Sequence, residues 1–132
     1  YTHPIPIIEQ AIKDSDWFKA IVFSAIQLER YGYLATKDAL ESLEVDYRKD
    51  ILEKLHLSQI VLFLLAIEKI DSKEYKTIME INNERNKFMH RRDTKRFTRG
   101  RQAKIKYEPL AREAIRILKE KFDAVRLIVS KG

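Results

Sequence analysis

The chain has 132 residues, enough for one domain with a modest core, and its 45% hydrophobic content excludes a disordered class. Three glycines and three prolines are too few for an all-β fold with its many tight turns, and the lack of cysteine excludes disulfides and thiolate metal sites. The net charge is +6, but Arg85 to Lys106 holds ten Lys or Arg against the single acid Asp93, so that stretch carries +9 and the remainder −3. A cationic patch this local points to a polyanion, where a uniformly basic surface would not.

In chain order, the first residues, Tyr1-Thr2-His3-Pro4, lack a secretory pattern. Ile7, Ile8, Ala11 and Ile12 form a short amphipathic stripe, with Pro6 suited to a first helical turn. Ser15-Asp16 offers a cap for a core helix bearing Trp17, Phe18, Ile21, Val22, Ala25, Ile26 and Leu28, which Gly32 is placed to end. Between 36 and 56 the pattern Leu40, Leu43, Tyr47, Ile51, Leu55 is broken and predicts one or two short helices, with Thr36 capping a turn. Ser58 is placed to cap an apolar helix through Ile70. Its apolar run, Ile60 to Ile67, falls well short of the roughly 20 residues a membrane span needs.

Asp71 and Glu74 have capping-box spacing, and the helix they open runs to about His90. Residues 91 to 106 show little periodicity and read as a basic loop. Glu108-Pro109 then opens a final helix that buries Ala111, Ala114, Ile115, Leu118, Phe122, Val125 and Val129. The expectation is an all-α fold, an antiparallel bundle of four to five helices forming one domain over residues 1–132.

The chemistry concentrates in Arg85-Asn86-Lys87-Phe88-Met89-His90. On a helical wheel Tyr75, Ile78, Met79, Ile81, Phe88 and Met89 cover an apolar arc. Arg85 and Asn82 fall inside it, and Asn86 and His90 lie at its edge. A guanidinium there requires an internal carboxylate, such as Glu29 or Glu68, or a polar cleft or subunit interface. Asn86 and His90 are four apart and share a face, so the amide is placed to fix the imidazole tautomer. Arg85 and His90 are five apart, about 140° around an ideal helix. Either the helix ends at His90 or a second copy completes the site.

Histidine moves protons in both directions near neutral pH, and arginine matches phosphate oxygens with a planar fork. Together they suit attack of a ribose 2′-hydroxyl on its own phosphodiester, with no metal or other cofactor. Arg91, Arg92, Lys95, Arg96, Arg99 and Arg101 would guide RNA, with Phe97 and Tyr107 available to stack bases. His3 and His56 lie far from any acidic cluster and are not read as metal ligands.

Arg85-Asn86 followed by His90, late on a bundle helix, resembles the motif of the HEPN superfamily (higher eukaryote and prokaryote nucleotide-binding domains): an Arg, four to six residues, then His, often with a polar residue after the Arg. Asp16-Trp17-Phe18-Lys19-Ala20-Ile21 through Leu28-Glu29-Arg30, and Leu57-Ser58-Gln59-Ile60, are also similar to members of that group.

The resemblance implies a helical, metal-independent endoribonuclease that dimerises so that two motifs meet in a shared cleft. It implies a role in toxin–antitoxin systems, antiviral defence or RNA processing. Separately, a cytoplasmic location and no membrane partner are expected, the longest apolar run being too short to span. Toxins paired with a nucleotidyltransferase antitoxin often carry Tyr two residues after the His, whereas Arg91 and Arg92 follow His90 here. The alternative is a non-catalytic nucleic-acid-binding bundle, or the interaction subunit of a two-gene toxin–antitoxin pair.

Overall fold

The computed structural model describes residues 4–42, 48–90 and 99–122. Among them it contains six helices and no strand: α1 (Pro4–Lys13), α2 (Trp17–Ser42), α3 (Arg48–Lys54), α4 (Leu57–Ala66), α5 (Ser72–His90) and α6 (Gly100–Glu120). The fold is an all-α bundle, and the described residues alone hold one helix more than the upper end of the four to five expected. The long α2 is its centre and packs against each of the other five.

The apolar spacing explains most of the packing. Ile5, Ile8, Ala11 and Ile12 of α1 are buried, as are Trp17, Ala20, Ile21, Ala25, Leu28 and Tyr31 of α2. Asp16 caps α2, its carboxylate accepting from the Lys19 backbone N–H at 3.1 Å. Helix α1 ends in a Schellman motif: the Asp16 N–H reaches the Ala11 carbonyl at 2.8 Å and the Ser15 N–H reaches Ile12 at 3.0 Å. Ser15 takes the left-handed conformation that the motif requires, at φ 56°. Helix α4 stops the same way, with Glu68 at φ 62° and the Lys69 N–H on the Leu64 carbonyl at 2.9 Å.

Four local expectations are corrected. Gly32 does not end α2, which runs on to Ser42. Its missing side chain instead lets α4 approach, since a Cβ there would sit 3.3 Å from Ile60 Cγ2. Thr36 caps nothing: it is buried within α2 and donates to the Gly32 carbonyl at 2.9 Å. Helix α4 is entered from His56, not Ser58, with the Gln59 side chain accepting from the His56 N–H at 2.9 Å, and it ends before Ile70. Helix α6 begins at Gly100, so Pro109 lies inside it. The buried spacing that begins at Ala103 and continues through Tyr107, Leu110, Ala111 and Ala114 outweighs the one ladder bond that proline removes.

The capping box that opens α5 is formed as expected. The Glu74 side chain accepts from the Asp71 N–H and the Asp71 side chain from the Glu74 N–H, each at 2.8 Å. No described helix is long and apolar enough to cross a membrane. Leu43, Tyr47, Val125 and Val129 lie outside the described residues.

Candidate active site

Helix α5 buries Glu74, Ile78, Ile81, Glu84 and Phe88, at spacings of four, three, three and four. Arg85 stands beside this stripe and turns toward α2. Its Nη1 donates to Glu29 Oε2 at 3.1 Å and its Nη2 to Asn82 Oδ1 at 2.6 Å. The Arg85 side chain keeps 21% of its surface exposed, and Glu29 is about half exposed. The apolar arc therefore tolerates the guanidinium because a carboxylate from α2 meets it. Of the two acids considered as partners, Glu29 is the one used, while Glu68 is exposed at the end of α4.

Asn86 and His90 both face solvent. The amide that touches the arginine is Asn82, one turn before Asn86. Helix α5 stays α-helical through His90, so Arg85 and His90 leave the axis about 140° apart. On one regular helix the two side chains therefore start out in different directions. Met89 falls between them on the wheel, and with 67% of its surface exposed it does not belong to the buried arc expected for it. On α2, Phe18, Ile26 and Tyr33 are exposed and share an arc with Glu29. Phe18 stacks against Phe88 at 5.5 Å, so this partly apolar face of α2 adjoins the Arg85 side of α5.

The expected RNA contacts divide. Arg99 and Arg101 are exposed at the start of α6. Arg91, Arg92, Lys95, Arg96 and Phe97 lie outside the described residues. Tyr107 does not serve as a stacking platform: it is buried, its ring sits 5.5 Å from that of Phe88, and its hydroxyl donates to Glu84 Oε1 at 3.1 Å. Among the described residues no group of three or more His, Asp or Glu is placed to hold a metal ion.

Glu84 is the residue the sequence reading missed. It is 3% exposed, and Lys106 Nζ lies 2.6 Å from its Oε1 and Lys87 Nζ 3.0 Å from its Oε2. Burial opposes its charge, but hydrogen bonds from Lys106, Lys87 and Tyr107 outweigh that and hold its carboxyl below the ordinary range. A carboxylate whose pKa is lower when folded contributes stability above its unfolded pKa and loses it as pH falls through the folded value. Thermal melts from neutral pH down through the carboxylate range should therefore show a smaller acid-induced drop in Glu84→Gln than in the parent. Equal drops would mean that Glu84 does not carry this linkage.

No family model matches the sequence, and neither a curated protein nor a solved structure matches it at a significant level.

Proposed function

We propose that the chain is a metal-independent endoribonuclease of the HEPN type that cleaves single-stranded RNA as a homodimer. The observation that carries this reading is the held guanidinium. Glu29 and Asn82 orient Arg85 on the same terminal stretch of helix that presents a solvent-facing His90. In the proposed reaction His90 takes the proton from a ribose 2′-hydroxyl, or protonates the departing 5′-oxygen. Arg85 stabilises the charge that builds on the phosphoryl oxygens. The 2′-oxygen attacks phosphorus, the P–O5′ bond breaks, and the products are a 2′,3′-cyclic phosphate and a 5′-hydroxyl. The role expected of Asn86, orienting the imidazole, remains part of the proposal.

Dimerisation answers the 140° problem, because a partner's motif supplies what one helix cannot bring together. Phe18, Ile26 and Tyr33 of α2, with Met89, offer an apolar face beside Arg85 for that contact. Arg91, Arg92, Lys95, Arg96, Phe97, Arg99 and Arg101 are proposed to guide RNA. A cytoplasmic site of action and a neutralising antitoxin protein belong to the same reading.

One observation favours a second reading. Arg85 already has a carboxylate, and a neutralised guanidinium is less free to bind phosphate. A bundle that binds nucleic acid without cutting it, or an interaction subunit, would keep that pair for the fold alone.

The two readings separate at Glu29. Under the ribonuclease reading Glu29→Ala releases the arginine from its aim and lowers kcat by about 10–100-fold. Affinity for RNA does not fall, since a negative charge has been removed. Steady-state cleavage alongside filter binding checks this, and an unchanged kcat would return Glu29 to a purely structural role. The direct test of the function is incubation with single-stranded RNA and with DNA of the same sequence in EDTA. The RNA should be cut and the DNA left whole; intact RNA that is nonetheless retained by the protein supports the binding bundle.

A further inference from the structure

We propose that Lys87 and Lys106 form a phosphate-binding subsite beside His90, which holds the RNA phosphate neighbouring the scissile one. This deepens the ribonuclease reading and rests on it. The two ammonium groups come from different helices and meet at one carboxylate, Lys106 at 2.6 Å and Lys87 at 3.0 Å from opposite oxygens of Glu84. The carboxylate is buried beneath them, whereas the lysine side chains are about half exposed. Two positive charges over one negative leave the cluster with a net +1 on its outer side.

The cluster is built and does not depend on two mobile surface chains happening to meet. The Tyr107 hydroxyl donates to Glu84 Oε1 at 3.1 Å and restrains the carboxylate. Lys106 Nζ lies 5.4 Å from the centre of the Tyr107 ring, which packs edge-on against Phe88. Each ammonium has three N–H donors. One is used on Glu84, so others remain for a ligand in front. A single cation would balance the buried acid, and the second is surplus to that task. The chemistry that fits two restrained ammonium groups on half-exposed side chains is an anion with several acceptor oxygens.

Position narrows the anion to RNA backbone. Lys87 precedes His90 by three residues, so the two are surface neighbours about 4.5 Å apart along the axis. A strand whose scissile phosphate sits at His90 carries its next phosphate past the lysine pair. Arg99 and Arg101 are exposed at the start of α6, the helix that carries Lys106. The side chains of the pair are already restrained, so less freedom is given up on binding than with two unsupported lysines.

The probe is a single-stranded 2′-O-methyl RNA, which lacks the attacking hydroxyl and is bound without being cut. Its affinity is measured across a salt series for the parent, Lys87→Gln, Lys106→Gln, the double variant, and Lys76→Gln as an exposed-charge control on the same helix. The double variant should bind roughly tenfold more weakly at low salt, and its log–log salt slope should fall by about 0.7, the share of one phosphate that is no longer neutralised. Lys76→Gln should stay close to the parent. Lys87→Gln leaves Lys106 and Tyr107 on Glu84, so it carries the test if the double variant does not fold. Slopes for Lys87→Gln and the double variant equal to that of Lys76→Gln overturn the subsite, as does a parent protein that fails to retain the probe. If the slope shifts but natural RNA is never cut, the ribonuclease reading falls and the subsite stands as a binding feature. If RNA is cut and the slope does not move, the subsite alone falls.

Discussion

His90→Ala should lower the rate of RNA cleavage by about 10²–10⁴-fold while the protein remains folded. The imidazole faces solvent at the end of α5 and takes no part in the core, so its removal should change stability by less than about 0.5 kcal/mol. Arg85→Ala should cost about 10²–10³-fold, the usual loss when a donor that stabilises transition-state charge is removed. Its stability cost is also small. The Glu29 it leaves behind is about half exposed, and an ion pair with such access to water contributes no more than about 1 kcal/mol. Single-turnover cleavage and thermal melts on the same preparations separate the two effects. Variants that melt like the parent and cut RNA at its rate would remove both residues from the site.

The largest effect on stability is expected at the other end of α5. Glu74 is 1% exposed, yet Arg116 reaches it from α6 at 2.9 Å, with Lys121 farther off at 3.7 Å. Arg116 also contacts Glu113, and it donates to Glu120 at 2.8 Å. Together Glu113, Glu120 and Glu74 raise its pKa well above the ordinary arginine range. Truncating Arg116 leaves a buried carboxylate with its cap to the Asp71 N–H and one distant lysine.

Breaking a fully buried pair costs about 3–5 kcal/mol. Arg116 is about a third exposed and Lys121 remains, so Arg116→Ala should cost about 2–3 kcal/mol. Urea unfolding measures it. A loss under about 0.5 kcal/mol, the range of ordinary surface changes, would show that the pair does not tie α5 to α6.

Both ties are long-range, and that explains what the sequence could and could not reveal. Local signals were legible. Three- and four-residue apolar spacing placed most of the cores of α1 and α2, although Phe18 and Ile26 of the expected α2 stripe are exposed. Asp71 with Glu74 marked the start of α5 through a box that both side chains complete. Gly32 misled because glycine serves both as a helix terminator and as a close-packing residue, and only the position of Ile60 distinguishes the two roles. The start of α6 was hidden by charge. Arg101, Lys104 and Lys106 made 100–106 look like loop, although Ala103 and Tyr107 already begin the buried face.

That misreading concealed Glu84, whose partners Lys106 and Tyr107 come from that same stretch of α6. At the site itself, the need for a carboxylate near Arg85 was legible from its place on the apolar arc. The selection of Glu29, 56 positions away, follows from the packing of α2 on α5. Met89 shows the reverse case: an apolar residue at the rim of a buried arc stays exposed because no described helix covers that rim.

The chemistry of Arg85 and His90 is most directly read from the ends of the RNA fragments. After digestion in EDTA by the parent protein, fragments should carry a 2′,3′-cyclic phosphate on one side of the cut and a free 5′-hydroxyl on the other, detectable by mass spectrometry and by labelling with polynucleotide kinase. Fragments with 5′-phosphate and 3′-hydroxyl ends would mean that water or another nucleophile does the cutting, which contradicts attack by the neighbouring 2′-hydroxyl.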